Sequence, residues 1–347
     1  MSNLKQDSPP AEPVSALPNP HPDEAWLALH QEPVIEPELP IIDAHHHLWH
    51  SPHPRYLLDD LLSDINTGHN IRATVFVEAK AMYRLDGVDE LKCIGEVEFA
   101  NGVAAMSASG IYGPARICAA IVGHADLRLG SRVEPVLEAL VRAGGGRFRG
   151  VRHSAARDPE VRLQAPESLL RDPSFRAGFA CLQRLGLSFD AWLYHPQLHD
   201  LVDLLKAYPT AQVVLDHMGG RIGMGSYAAR QQDAITSWRR SLEALAGFPN
   251  VHVKVGGLGM ALCGFAFHRR PKPPSSDDLA AAWRPHVETC IEIFRPDRCM
   301  FESNFPVDKA SCSYRVLWNA FKKITTGLGQ RERASLFRDT AARFYAI

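Results

Sequence analysis

The chain has 347 residues, of which 46% are hydrophobic and 22% are charged. This composition supports a large buried core and excludes a disordered chain or a coiled coil as the overall description. Lys and Arg number 38 against 39 Asp and Glu, so a formal net charge of -1 argues against nucleic acid or an anionic membrane as partner. Seven scattered cysteines without a Cys-x-x-Cys pair, and no long apolar run, predict a soluble protein of the reducing cytoplasm.

The beginning of the sequence is rich in proline. Nine of the 25 prolines lie in residues 1–40, where they remove backbone donors and block regular ladders. We therefore assign residues 1–39 to an extended N-terminal arm with one helical turn around Trp26, whose indole could pack on the main domain. A homo-oligomer in which this arm reaches a neighbouring copy is also compatible with the sequence.

From residue 40 onward, short apolar segments alternate with longer amphipathic ones, which is typical of βα units. The predicted strands cover 40–45, 72–78, 116–122, 147–152, 187–193, 211–216, 251–255 and 298–302. The predicted helices cover 89–99, 132–143, 173–185, 197–207, 235–246, 278–294, 314–324 and 331–345. Eight strands close a barrel, and no Gly-x-Gly-x-x-Gly follows the first strand. We therefore predict an α/β fold, a (β/α)8 TIM barrel over residues 40–347, in preference to an open doubly wound sheet.

The strongest local signal is Asp43-Ala44-His45-His46-His47 at the end of the first predicted strand. Side chains two positions apart on a strand share a face, so His45 and His47 are expected to converge inside the barrel while His46 points away. Two imidazoles in that position form half of a metal site or a proton-transfer pair.

Further polar residues stand at other strand ends, where barrel enzymes place their chemistry. Glu78 ends the second strand, and a carboxylate after so apolar a run is either a ligand or base, or the partner of a nearby cation. Arg152 and His153 end the fourth strand, and adjacent residues point oppositely, so at most one of them is expected to enter the site.

The later strands add histidines, a lysine and several polar groups. His217 directly ends a compact strand, whereas His195 is equally well explained as a hydrogen-bonded loop residue. Lys254 lies among apolar neighbours, so it either binds an anion or forms a buried ion pair. Three polar residues after the eighth strand could complete the ring, namely Glu302, Asn304 and Asp308.

Taken in order, these motifs resemble the amidohydrolase superfamily, and within it the TIM-barrel lactonases related to 2-pyrone-4,6-dicarboxylate lactonase and the sugar-acid lactonases. The resemblance runs from about Asp43 to the C-terminus. Its motifs are Asp-x-His-x-His at 43–47, Thr-Val-Phe-Val-Glu at 74–78, Gly-Val-Arg at 150–152, Asp-Ala-Trp-Leu at 190–193, Leu-Asp-His-Met-Gly at 215–219, Lys-Val-Gly-Gly-Leu at 254–258 and Ser-Asn-Phe-Pro-Val-Asp at 303–308.

The resemblance implies that His45, His47 and His217 form the catalytic histidine cluster and that Arg152 contacts a substrate carboxylate or an oxyanion. Three imidazole nitrogens suffice for one divalent metal ion with an open coordination position, and zinc is the preferred candidate. Because members of this branch differ in needing a metal, the same histidines could instead donate hydrogen bonds directly to a carbonyl oxygen.

One position departs from the family pattern. The family usually has an aspartate after the eighth strand that takes a proton from the attacking water, whereas this chain has Asn304, and an amide cannot act as a general base. Three alternatives follow: a metal-bound hydroxide that needs little further help, a substitute base such as Asp308 or Glu302, or altered chemistry.

The sequence thus predicts a hydrolase that opens a lactone or a similar cyclic ester of a small carboxylic acid by attack of water. The groups expected to line the substrate are Arg152, Glu78, His195 and Lys254. Two alternatives stay open: non-oxidative decarboxylation of an aromatic acid, and a catalytically silent barrel that binds a small acid. The basic segment 265–276 is expected either to cover the pocket or to form a solvated surface loop.

Overall fold

The computed structural model describes residues 20–50, 54–161 and 164–347. Eight parallel strands follow one another around a barrel in chain order: β1 (Pro40–His46), β2 (Asn70–Val77), β3 (Arg116–Gly123), β4 (Phe148–Arg152), β5 (Ser188–Ala191), β6 (Val213–Leu215), β7 (Val251–Val255) and β8 (Cys299–Phe301). The barrel closes just beyond β8, where Phe305 bridges His46 and the Asn304 N–H donates to the carbonyl of His45 at 2.9 Å. The predicted TIM barrel is confirmed.

A helix follows each strand: α1 (Leu58–Ile65), α2 (Ile94–Ala108), α3 (Glu134–Ala143), α4 (Pro173–Arg184), α5 (Leu198–Ala207), α6 (Gln231–Ala246), α7 (Ser276–Phe294) and α8 (Tyr314–Ile324). Helix α1 was not predicted; its short apolar stripe of Leu58, Leu61 and Ile65 gains its stability by packing on the barrel. The second helix begins later than predicted, because 89–91 form a separate 3-10 turn. The closing segment is helical but contains a π-helical turn at Ser335–Asp339.

Small apolar side chains fill the inside of the barrel, including Ala44, Val75 and Val214. Tyr345 joins this interior cluster, and its carbonyl accepts a hydrogen bond from Arg149 near the start of β4. The end of the chain therefore covers the N-terminal opening of the barrel, which leaves the C-terminal ends of the strands for the polar groups.

The described part of the arm, residues 20–39, packs along the barrel of the same chain. The indole N–H of Trp26 donates to the carbonyl of Arg270 at 2.9 Å, which confirms that Trp26 contacts the main domain. The ammonium of Lys322 on α8 donates to two arm carbonyls at 2.8 and 2.9 Å. The first nineteen residues of the predicted arm lie outside the described residues.

No helix in the described ranges is long and apolar enough to cross a bilayer. All seven cysteines lie at described positions, are buried and carry free thiols. Burial raises the pKa of Cys93 to about 11 and that of Cys263 to about 12, so neither is a thiolate nucleophile at neutral pH.

Candidate active site

Buried charged and imidazole side chains gather at the C-terminal ends of β1, β2, β4, β5, β6, β7 and β8. None of them is more than 8% exposed. We call this set the charged cluster, and it consists of His45, His47, Glu78, Arg152, Asp190, Asp216, His217, Lys254 and Glu302. Apolar barrel residues lie below it, so these groups can compensate their charges only among themselves or through a ligand.

His45 lies at the centre of the charged cluster and is completely buried. Its Nε2 is 3.1 Å from Nε2 of His47 and 3.3 Å from Nη1 of Arg152. Its Nδ1 is 3.1 Å from Oε2 of Glu302 and 3.2 Å from Nζ of Lys254. Burial and the neighbouring Lys254 lower the pKa of His45 well below its ordinary value. His45 is therefore neutral, which is the form that binds a metal.

His47 is oriented by the backbone of β2. Its Nδ1 donates to the carbonyl of Val77 at 2.8 Å, which leaves Nε2 without a proton and facing His45. Burial lowers the pKa of His47 well below its ordinary value, so this ring is neutral too. His46 points away and its Nε2 lies 2.8 Å from the Thr74 hydroxyl. The predicted convergence of alternate histidines is confirmed.

His217 stands on a backbone turn that few residues adopt. Its φ is 51° and that of Met218 is 55°, both in the left-handed region, and two glycines with positive φ follow. The buried indole of Trp238 donates to the Met218 carbonyl at 2.7 Å and holds the turn. Nδ1 of His217 lies 2.7 Å from Oε1 of Glu302. Gly257 packs so closely that a Cβ there would stand 2.7 Å from the imidazole, so only glycine fits.

Both cations of the charged cluster are held by carboxylates. Nζ of Lys254 lies 2.6 Å from Asp190 and 3.1 Å from Asp216. Nε of Arg152 donates to Glu78 at 2.7 Å, and its Nη1 lies 3.7 Å from Asp216. Among the alternatives that the sequence left open, the structure therefore shows a buried ion pair for Lys254 and a cation partner for Glu78.

The charged cluster carries more negative than positive charge. Four carboxylates face two cations, while His45 and His47 are neutral, so two negative charges are left uncompensated before His217 is counted. Ligand atoms of His45, Asp216 and His217 all lie within 4.8 Å of one another. Two imidazoles and a carboxylate suit zinc, and a divalent ion would balance the charge. These residues fit a metal ion; they share His45 and His217 with the predicted set of three histidines and have Asp216 in place of His47.

Asn304 and Asp308 form a hydrogen-bonded pair beyond β8. Nδ2 of Asn304 donates to Oδ1 of Asp308 at 2.8 Å, and the N–H of Gly259 donates to Oδ2 at 2.7 Å. Burial raises the pKa of Asp308 to about 7. Burial would also raise the pKa of Glu302, but its contacts with His217 and His45 together outweigh burial, and the pKa falls to about 2. Because a general base works best near the operating pH, Asp308 is the better substitute base.

Two other histidines considered from the sequence lie outside the charged cluster. His153 points away from the site, opposite to Arg152, and its Nδ1 accepts the N–H of Leu127 at 3.2 Å. Nδ1 of His195 accepts the N–H of Ile222 at 3.2 Å. No hydrogen bond or ion pair among the described residues joins His195 to the charged cluster, so the structure does not bring this predicted substrate contact to the other site residues.

Asp190 and Asp216 were not among the predicted site residues, although both lie within the sequence motifs. The criterion applied to Glu78, a carboxylate in or after an apolar strand that needs a partner, holds for them as well. Asp190 lies between Phe189 and Ala191 in β5, and Asp216 directly follows β6. That signal would have found both residues.

The chain belongs to the amidohydrolase family, because the family described as amidohydrolase matches residues 42–347. A relative that is 32% identical over 336 residues is the uncharacterized protein y4mH of Sinorhizobium fredii, and the match covers 89% of this chain and 99% of that protein. An L-fucono-1,5-lactonase of Burkholderia multivorans is 29% identical over 324 residues, which cover 88% of this chain and 96% of the lactonase.

A similar solved structure is that of an amidohydrolase from Burkholderia multivorans with bound zinc. It superposes with a TM-score of 0.69 at 28% sequence identity and covers 88% of this chain and 99% of that chain. The superfamily that the sequence motifs resemble is thus the family to which the chain belongs.

Proposed function

We propose that the protein is a hydrolase that opens a lactone or a similar cyclic ester of a small carboxylic acid. The observation that carries this proposal is the charged cluster, which places neutral imidazoles and an uncompensated negative charge at the C-terminal end of the barrel, where such enzymes act. Similarity to an L-fucono-1,5-lactonase over nearly its whole length supports a lactone as the substrate class.

A divalent metal ion, zinc in the first place, would be held by His45, Asp216 and His217, and it would polarise the ester carbonyl and lower the pKa of water. Glu302 contacts both imidazoles through their Nδ1 atoms and thereby fixes the orientation of the rings. Lys254 holds the carboxylate of Asp216 from the side of β7. The surrounding ion pairs thus keep the ligand atoms in place.

Asp308 is the proposed proton acceptor for the attacking water. A bond forms between the water oxygen and the carbonyl carbon, the water proton passes to Asp308, and the ring C–O bond then breaks. The protonated Asp308 can return this proton to the departing alkoxide, which completes the hydrolysis. The amide of Asn304 donates to Asp308 and therefore orients the base instead of acting as one.

Purified protein should hydrolyse members of a panel of 1,4- and 1,5-lactones, followed by the acid that ring opening releases. H217N should lower kcat/KM by at least about 1000-fold while the melting temperature is kept. The matched control is H199N, since His199 is exposed on α5. Release of carbon dioxide from aromatic acids without lactone hydrolysis would overturn the proposal in favour of a decarboxylase, and binding without turnover would favour a silent barrel.

A further inference from the structure

A buried arginine, Arg221, lies outside the charged cluster in the loop after β6, close to the loop after β7. Arg221 follows the left-handed turn of His217 and is 3% exposed. Its Nη2 donates to the carbonyl of Cys263 at 3.0 Å. Within the described ranges, its Nε and Nη1 are buried and have no hydrogen-bond partner, and no carboxylate forms an ion pair with this guanidinium.

Burying an unpaired guanidinium costs free energy of folding unless a ligand accepts its hydrogen bonds and balances its charge. Burial lowers the pKa of Arg221, yet an arginine keeps its proton in proteins, so a positive charge is buried here that no carboxylate among the described residues balances. Arg152 is buried to a similar degree, but Glu78 compensates its charge at 2.7 Å. Nε and Nη1 together carry three N–H groups, and such donors on a buried cation are a place for an anion.

Two imidazoles flank Arg221, and neither forms an ion pair within the described ranges. Nδ1 of His195 accepts the N–H of Ile222, so the proton of this neutral ring is on Nε2. Burial and the adjacent Arg221 lower the pKa of His195 to about 4, and the same two causes lower that of His286 to about 4. We call Arg221, His195 and His286 the arginine cluster.

The aromatic ring of Phe265 borders the arginine cluster. The ring of Phe265 lies 5.7 Å from the guanidinium carbon of Arg221, and its centroid lies 5.8 Å from that of His286. Phe265 opens the basic segment 265–276, which the sequence analysis expected to cover the pocket or to be solvated. Phe265 is half-buried, and its apolar ring lowers the local dielectric beside Arg221, which strengthens the attraction between Arg221 and an anion.

The arginine cluster adjoins the proposed catalytic site through the backbone of two loops. The thiol of Cys263, whose carbonyl binds Arg221, donates to the carbonyl of Gly257 at 3.4 Å. Gly257 in turn packs against the ring of His217. An anion held by Arg221 would therefore lie beside the site at which the ester is attacked, whereas Lys254 is already neutralised by carboxylates.

We propose that the arginine cluster binds a carboxylate of the substrate, so that the protein selects lactones that carry an acid group in addition to the ester. This inference rests on the proposed function and names the substrate class of that site. Nε and Nη1 of Arg221 and Nε2 of His195 would donate to the carboxylate oxygens. His195 thereby regains the substrate contact that the sequence predicted, away from the charged cluster.

The kinetic test compares a neutral aldonolactone with the matching aldarolactone, in which a carboxylate replaces the terminal hydroxymethyl group. R221M should raise KM for the aldarolactone by roughly 10- to 100-fold, because hydrogen bonds to a charged group are lost. It should change KM for the neutral lactone by less than about two-fold. R239M is the matched control, since Arg239 is exposed and pairs with Glu292 on the surface. Equal effects of R221M on both lactones would overturn the inference.

A binding test separates this inference from the proposed function. Calorimetric titration with malonate should show binding to the wild type and to R239M and a loss of at least roughly 10-fold in affinity in R221M. Inorganic phosphate is titrated in parallel, and a site that binds phosphate but not malonate contradicts the carboxylate assignment. If malonate binding depends on Arg221 but no lactone is hydrolysed, the proposed function fails and the anion site stands.

If R221M does not fold, H195N provides a second variant. It keeps the guanidinium and an oxygen near the position of Nδ1 for the N–H of Ile222, but its shorter amide does not reach the position of Nε2. H195N should weaken malonate binding in the same direction, by several-fold. Malonate affinity that is unchanged in H195N, or in a folded R221M, would overturn the inference even where lactone hydrolysis is observed.

Discussion

Lys254 and Arg221 are both buried cations at the same end of the barrel, but their surroundings differ. Lys254 lies within 3.1 Å of two carboxylates, in a cluster where carboxylates outnumber cations. Arg221 contacts one backbone carbonyl and an aromatic ring. A buried charge needs a counter-charge. The sign of the uncompensated charge in each cluster therefore indicates the charge of the ligand that the cluster binds. The charged cluster lacks a cation, and the arginine cluster lacks an anion.

The largest expected effect is the loss of activity when a carboxylate of the charged cluster is replaced. D216N removes a carboxylate of the fitted metal set, so kcat/KM on an identified lactone should fall by at least about 1000-fold. D203N is the control, since Asp203 is an exposed residue paired with Arg176. Activity of D216N within tenfold of the wild type would remove Asp216 from the site.

Urea unfolding should distinguish the two cations by stability. K254M leaves the carboxylates of Asp190 and Asp216 buried without their cation, so the free energy of unfolding should fall by about 3–5 kcal/mol. R221M removes a charge that no carboxylate in the described part of the chain balances, so the free energy of unfolding should change by less than about 1 kcal/mol or rise. Equal losses in both variants would contradict the assigned difference between the clusters.

The pH profile tests Asp308. With a pKa of about 7 in the folded chain, the carboxylate gains its negative charge as pH rises through 7, so kcat should rise there and D308N should lack this rise. The unfolded group has a pKa of about 4, so between pH 4 and 7 the folded chain binds more protons. The free energy of unfolding should therefore fall with rising pH over that range, and less steeply in D308N. If the profiles of kcat against pH coincide for the wild type and D308N, Asp308 is excluded as the base.

The smallest expected effect is that of replacing Tyr345, whose side chain lies inside the barrel and contacts the charged cluster. The hydroxyl of Tyr345 donates to Oδ2 of Asp190 at 2.9 Å, and Asp190 holds Lys254. Y345F removes this hydrogen bond and keeps the ring, so kcat should fall by a few-fold and stability by about 1 kcal/mol. Y208F is the control, because the Tyr208 hydroxyl donates to a carbonyl on α4. A kcat loss in Y208F as large as that in Y345F would show a general effect of losing a phenol.

Much of this arrangement follows from sequence periodicity. The period of two along β1 predicted that His45 and His47 share a face, and strand ends predicted where Arg152 and Lys254 lie. The pairing of Lys254 with Asp190 could not be predicted, since it joins strands distant in the sequence and depends on the closure of the barrel. The unbalanced charge of Arg221 was equally hidden, because it results from the absence of a carboxylate in space.

The most direct test of the account is a calorimetric titration of zinc into metal-stripped wild type, D216N and R221M. We expect one zinc ion per chain in the wild type, a loss of zinc affinity of roughly 100-fold or more in D216N, and unchanged zinc affinity in R221M. Equal zinc affinity in wild type and D216N, or no zinc binding to the wild type, would contradict the claim that the charged cluster takes a divalent cation.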